Sequence, residues 1–136
     1  MGEKMSNDNI LNGIRILDFG RYIAGPFCGA LLSDFGADVI RIERVNGSED
    51  RFVTPVTSNH EGSMFLQMNR NKKGMTLNPT KEKGREIVSK LLKNTDVVIA
   101  NLPEPTLKSM GLDYDSIKKI NPQIILTSNT AFGTSG

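Results

Sequence analysis

The stretch Gly13–Arg44, GIRILDFGRYIAGPFCGALLSDFGADVIRIER, decides the fold. Its first apolar run, residues 14–19 (IRILDF), reads as a short strand, and Gly20 to Gly25 as the turn that follows. Pro26 suits the first residue of a helix, where its missing N–H costs nothing. The helix continues through FCGALLSDF to Gly36, a natural C-terminal stop, and residues 38–43 (DVIRIE) alternate as a second strand. Strand, turn, helix and strand make half of a nucleotide-type βαβ unit. The first strand-to-helix turn is where such units hold phosphate-bearing ligands.

Downstream, from Asn46 to about Lys73, the periodicity fades into a segment rich in Gly, Ser, Asn and Thr. It reads as a long loop with a short helical turn at residues 64–68, MFLQM. Residues 74–77 (GMTL) form a short strand, and Asn78-Pro79-Thr80 opens a helix with Thr80 as N-cap and Glu82 in its first turn. Ile87, Val88, Leu91 and Leu92 supply that helix with an apolar stripe. Residues 96–100 (DVVIA) carry the continuous apolar run of a strand buried on both faces of a parallel sheet. A short helix ending at Gly111 follows, then another capped by Asp113 or Asp115 and stopped at Asn121-Pro122, then a last strand at 124–126. This alternation predicts an α/β fold, a Rossmann-like parallel sheet flanked by helices. It occupies one domain over 13–136, after a flexible tail at 1–12 and around a long loop at about 46–73.

Composition excludes several classes. With 38% hydrophobic and 24% charged residues and a net charge of +2, the chain lacks the basic bias of a nucleic-acid partner. No apolar run approaches the roughly 20 residues of a membrane helix, and the polar start MGEKMSNDNILN has no signal-peptide core. A single cysteine, Cys28, forms no internal disulfide and fits a reducing cytoplasm. It reads as a buried, inert thiol, because no His or Lys lies near it in sequence. His60, the one histidine, reads as a surface residue of a polar loop, with no second soft ligand to make a metal site. The pairs Lys72-Lys73 and Lys118-Lys119 read as solvated faces.

The common phosphate fingerprints fail on spacing. Gly20-x4-Gly25-x3-Gly29 is not GxGxxG, although Glu43 mimics the ribose-binding acid of that motif, and Gly25 is followed by Pro26 rather than by the lysine of a P-loop. What remains is the backbone N–H groups of the 22–26 turn at the helix start, Pro26 having none, with Arg44 and Asn101 at the carboxyl ends of two further strands, where open α/β sheets bind ligands. Each has a plain alternative: a strand-end charge for Arg44, a turn residue for Asn101, a mere connection for Tyr22–Ala24. Asp18, at the end of the first strand, reads as structural.

Taken together, ILDFGRYIAGP, LLSDFGADVIRIER, MNRNKKGMTLN, the Thr80–Gly84 helix start, the Asp96–Asn101 strand, LKSMGLDYDSIKKINP and TSNTAFGTSG resemble the class III CoA-transferase family, in its order and spacing from Gly13 to Gly136. That family includes formyl-CoA and carnitine-type CoA-transferases and the 2-methylacyl-CoA racemases. The resemblance implies coenzyme A, bound as an acyl-CoA substrate and without a metal, and a small carboxylic acid as the second partner. It places Tyr22, Ile23 and Ala24 along the CoA pocket, Arg44 at the nucleotide end of CoA, and Leu77, Asn78, Thr80, Asn101, Leu102 and Pro103 beside it. Arg21 and Tyr22 fall where the family varies with substrate, and Thr80 and Ser109 stand where basic residues are common. Forked Arg hydrogen bonds suit phosphates; backbone groups and Asn suit the amides of the pantetheine arm.

The resemblance also implies CoA transfer between carboxylic acids through an aspartyl mixed anhydride, and interlocked homodimers of full-length members. The family's nucleophilic aspartate follows the glycine-rich turn that reads AFGTSG here, and the chain stops at Gly136, before that segment. No catalytic residue is therefore assigned. The expectation is the N-terminal, CoA-binding portion of a cytoplasmic CoA-transferase, inactive by itself. The alternatives are a stand-alone or remnant CoA-binding module, the N-terminal part of a racemase, and an unrelated α/β binding protein.

Overall fold

Five short strands run in one direction: β1 (Arg15–Asp18), β2 (Asp38–Glu43), β3 (Lys73–Thr76), β4 (Val97–Ala100) and β5 (Ile125–Ser128). The computed structural model describes residues 9–59 and 61–133, so His60 lies outside the described residues. All four pairings are parallel, in the order β3-β2-β1-β4-β5. Helices α1 (Ala24–Asp34), α3 (Glu82–Leu92), α4 (Glu104–Met110) and α5 (Tyr114–Ile120) connect them, and α2 (Ser63–Met68) lies within the β2–β3 connection. This is the parallel, helix-flanked α/β sheet that the alternation predicts.

Strand pleating sorts the core into two layers. Leu17, Phe19, Ile42, Val98 and Ala100 face α3, α4 and α5 and pack with Val88, Leu92, Leu107 and Ile117. Ile16, Val39 and Ile99 face the other way and meet α1 through Cys28 and Leu32. Leu17, Leu92, Val98 and Ile99 are fully buried, and each such side chain contributes about 1.5–3 kcal/mol. On the α1 side the cover is incomplete: Ile125, in register with Val97, is 58% exposed.

Two helix starts differ from the sequence reading. α1 begins at Ala24, so Pro26 is its third residue; the missing N–H still falls in the first turn, where no intrahelical bond is lost. Gly25, Pro26, Gly29, Ala30 and Ser33 form its buried face, and their small size brings the helix close to the sheet. α3 begins at Glu82 with Lys81 at the N-cap. Thr80 cannot cap it, because its N–H and hydroxyl both donate to Asn78 Oδ1, at 3.1 and 2.7 Å. Elsewhere the signals hold. Gly111 ends α4 at φ 69°, and the Asp113 side chain caps α5 by accepting from the Ser116 N–H. The long 46–73 segment carries a 3-10 turn at Glu49–Phe52 as well as α2.

Candidate functional site

The carboxyl ends of β3, β2, β1 and β4 stand side by side, and the ten residues singled out from sequence all follow them. Tyr22–Ala24 follow β1, Arg44 follows β2, Leu77, Asn78 and Thr80 follow β3, and Asn101, Leu102 and Pro103 follow β4. Chain order reverses at β1, with β2 and β3 added on one side and β4 and β5 on the other. The β1–β4 boundary is thus the topological switch point. The side chains divide. Tyr22, Ile23, Ala24, Arg44, Asn78, Thr80 and Pro103 are exposed. Leu77 is buried and donates its N–H to the Glu43 carbonyl at 2.9 Å, and Leu102 packs against the core. These two shape the edge rather than line it. Surface depressions also lie away from this edge, along the outer side of α3 and at the amino ends of β2 and β3.

A two-point clamp spans the switch point. Asn101 accepts the Arg21 N–H at Oδ1 (2.6 Å) and donates from Nδ2 to the Arg21 carbonyl (2.8 Å). Asn101 is therefore a turn-fixing residue, both ends of its amide engaged. The Arg21 guanidinium turns inward and donates to the carbonyls of Phe19 (3.0 Å), Gly20 (2.8 Å) and Ile42 (3.4 Å). These contacts make it a brace of the turn. Tyr22 is driven to φ 59°, a left-handed conformation costing about 1–2 kcal/mol for a residue with a side chain. The turn is also tightly folded: a Cβ on Gly25 would stand 2.9 Å from the Gly20 Cα.

Beneath this edge lies a buried ionic network that the sequence reading missed. Lys72, expected on a solvated face, has a side chain only 1% exposed. Its Nζ donates to Asp18 (2.7 Å), the Pro26 carbonyl (2.6 Å) and Asn69 (3.0 Å). Lys73 remains at the surface, paired with Asp38. The same Asn69 oxygen accepts from Arg41 (2.7 Å), which meets both oxygens of the fully buried Asp50 at 2.9 and 2.8 Å. Glu43 holds Arg51 at 2.6 Å and accepts from the Ser48 N–H. Arg44 pairs with Glu49 at 2.7 Å. The Phe65 ring lies 3.8 Å from the Arg51 guanidinium and 5.3 Å from that of Arg41. Arg41, Glu43 and Arg44 are thus matched by Asp50, Arg51 and Glu49, which fastens the 46–73 segment to β2. A signal existed: alternation along DVIRIE puts Arg41 and Glu43 on the same face as the inward Val39.

The electrostatics follow from these contacts. Burial pushes the Glu43 carboxyl up, but hydrogen bonds from Arg51 and the Ser48 N–H outweigh it and leave the pKa lowered. Burial lowers the pKa of Arg21, with Arg41 adding to the effect and Glu49 and Asp50 opposing it. Burial and Asp18 push the Cys28 thiol up while Lys72 opposes them, and the side chain is half-buried rather than buried. Among the described residues no aspartate stands free at the carboxyl edge. Asp18 is fully buried, paired with Lys72 and bonded to the Gly20 N–H at 2.7 Å, and Asp50 is locked to Arg41. The edge can receive an anionic, extended ligand; its described residues offer no free aspartate.

Comparison with known proteins agrees with this architecture. The family model for CoA-transferase family III matches residues 11–136. The chain is 42% identical over 127 residues to a mouse succinyl-CoA:glutarate CoA-transferase, covering 93% of this chain and 29% of that protein. It is 40% identical over 124 residues to a formyl-CoA:oxalate CoA-transferase of Afipia carboxidovorans, covering 90% and 29%. A crystal structure of a CAIB/BAIF family protein from Brucella suis superposes with a TM-score of 0.86 at 39% identity, covering 93% of this chain and 34% of that one. The chain thus spans about a third of the length of the relatives it matches. It belongs to CoA-transferase family III.

Proposed function

We propose that this chain is the N-terminal, CoA-binding part of a CoA-transferase, which moves CoA between carboxylic acids through an aspartyl anhydride whose aspartate lies beyond Gly136. The observation that carries the reading is the edge itself: ten residues follow four adjacent strand ends, which include the two that flank the topological switch point. There Arg44, at 67% side-chain exposure, is held by one carboxylate and, among the described residues, by no backbone group. Arg44 receives the phosphates of the nucleotide end by forked, charge-assisted hydrogen bonds. The exposed turn Tyr22–Ala24 lies along the pantetheine arm with Asn78, Thr80 and Pro103, while Leu77, Asn101 and Leu102 hold the wall in place.

In this reading the substrates are an acyl-CoA and a small carboxylic acid, and the complete enzyme is an interlocked homodimer in the cytoplasm. The single domain runs over 13–136. No helix of the described residues is long and apolar enough to cross a membrane. By itself the chain binds CoA and transfers nothing, because the one strand-end aspartate at the edge, Asp18, is buried against Lys72. That burial equally favours a second reading, a CoA-binding module without chemistry. Calorimetry of the purified chain with CoA tests the binding claim. Binding that falls roughly tenfold in Arg44→Ala supports it; a folded chain without affinity for CoA contradicts it. Measurable CoA transfer by this chain alone contradicts the assignment of chemistry to a segment beyond it.

A further inference from the structure

Two cations flank one carboxylate at the end of β2. Glu49 Oε1 lies 2.7 Å from Arg44, and Glu49 Oε2 lies 3.8 Å from the Arg21 Nε. The second oxygen is buried without a hydrogen-bond partner. The two arginines differ in their freedom. Arg21 is 11% exposed and held by three backbone carbonyls, so it cannot leave. Arg44 is 67% exposed and has Glu49 as its sole ion-pair partner among the described residues. Glu49 itself cannot drift away, because its neighbours Asp50 and Arg51 are fastened to Arg41 and Glu43.

From this asymmetry we infer that Glu49 is a built-in competitor for Arg44, an internal anion occupying the cation that receives the ligand's phosphates. The inference rests on the reading above, in which Arg44 meets the nucleotide end of CoA. An arriving phosphate draws Arg44 outward, and Glu49 keeps the fixed guanidinium of Arg21 as its counter-ion, so no buried charge is stranded. Exchange of one anion for another on Arg44 makes binding weaker than a free arginine allows. It also makes binding selective for a ligand whose charge exceeds that of a single carboxylate. The backbone contacts of the pantetheine arm are untouched by this exchange.

The test is calorimetry at fixed ionic strength with CoA and with pantetheine, which lacks phosphate, on the natural chain, Glu49→Gln, Arg44→Ala and the double variant. The expected result is CoA binding about two- to fivefold tighter in Glu49→Gln, the strength of a partly exposed ion pair. Pantetheine binding stays unchanged, and the gain vanishes in the Arg44→Ala background. Should Glu49→Gln fold poorly by circular dichroism, Glu49→Asp, whose shorter side chain loosens its hold on Arg44, gives the same sign. CoA binding that is equal or weaker in the Glu49 variants, while Arg44→Ala still weakens it, overturns the inference and leaves the CoA reading standing. An undiminished gain in the Arg44→Ala background also overturns it, since the effect is then general repulsion. Absence of CoA binding by the folded natural chain removes the CoA reading and the inference together.

Discussion

Lys72 and Asp18 form a buried ion pair, with side chains 1% and 0% exposed. Removal of one partner strands a buried charge, so Lys72→Ala is expected to cost about 3–5 kcal/mol. That is a large share of the roughly 5–15 kcal/mol of an ordinary domain. Urea unfolding measures it, and a loss under 1 kcal/mol would show the pair to be dispensable. Nothing local marks Lys72 as buried: its partner is 54 positions away, and only the closed sheet brings them together. Glu43 adds a pH dependence. Its pKa is lowered in the fold, so the stabilisation is present above the ordinary glutamate range near 4 and is lost as pH falls through the lowered value. Glu43→Gln should therefore be less stable at neutral pH and should flatten the acid limb of a stability profile below about pH 4. An unchanged acid limb would contradict the assignment.

At the level of elements, the strands and helices were legible because each follows a local rule. Apolar alternation marks β2, the run VVIA marks β4, and glycine and Asn-Pro mark the helix ends at Gly111 and Asn121. The start of α3 was misread because a side-chain contest decided it. Asn78 takes the Thr80 hydroxyl before the helix can. The 78–79 loop then packs on the first turn of α3, where a Cβ at Gly84 would stand 1.9 Å from the Asn78 carbonyl oxygen. Gly84→Ala is accordingly expected to destabilise the chain by about 1–3 kcal/mol, the cost of overpacking, despite the better helix propensity of alanine. A thermal melt checks this; an unchanged or raised Tm would mean the loop yields freely. The β1–α1 turn predicts the opposite sign. Tyr22 is held at φ 59°, so Tyr22→Gly should not lower Tm, while loss of the half-exposed ring weakens acyl-CoA binding.

On the scale of the whole molecule, the parallel sheet and its ordering at the switch point unite residues far apart in sequence. Four strand ends deliver Tyr22, Arg44, Thr80 and Pro103 to one edge. Sequence reading located these positions but not their states. It could not show that Asn101 is spent on Arg21, or that Arg44 is already paired with Glu49, because hydrogen-bond partners depend on packing. The opposite edge, with Asp38, Lys73 and Asp96, provides an internal control on the same sheet. The most direct test of the account is therefore amide chemical-shift mapping of the isotope-labelled chain titrated with CoA. The predicted result is perturbation concentrated at residues 20–25, 44–49, 77–80 and 101–103, with the amides of Asp38, Lys73 and Asp96 unmoved. Perturbation centred on that opposite edge, or none at all at saturating CoA, would contradict it.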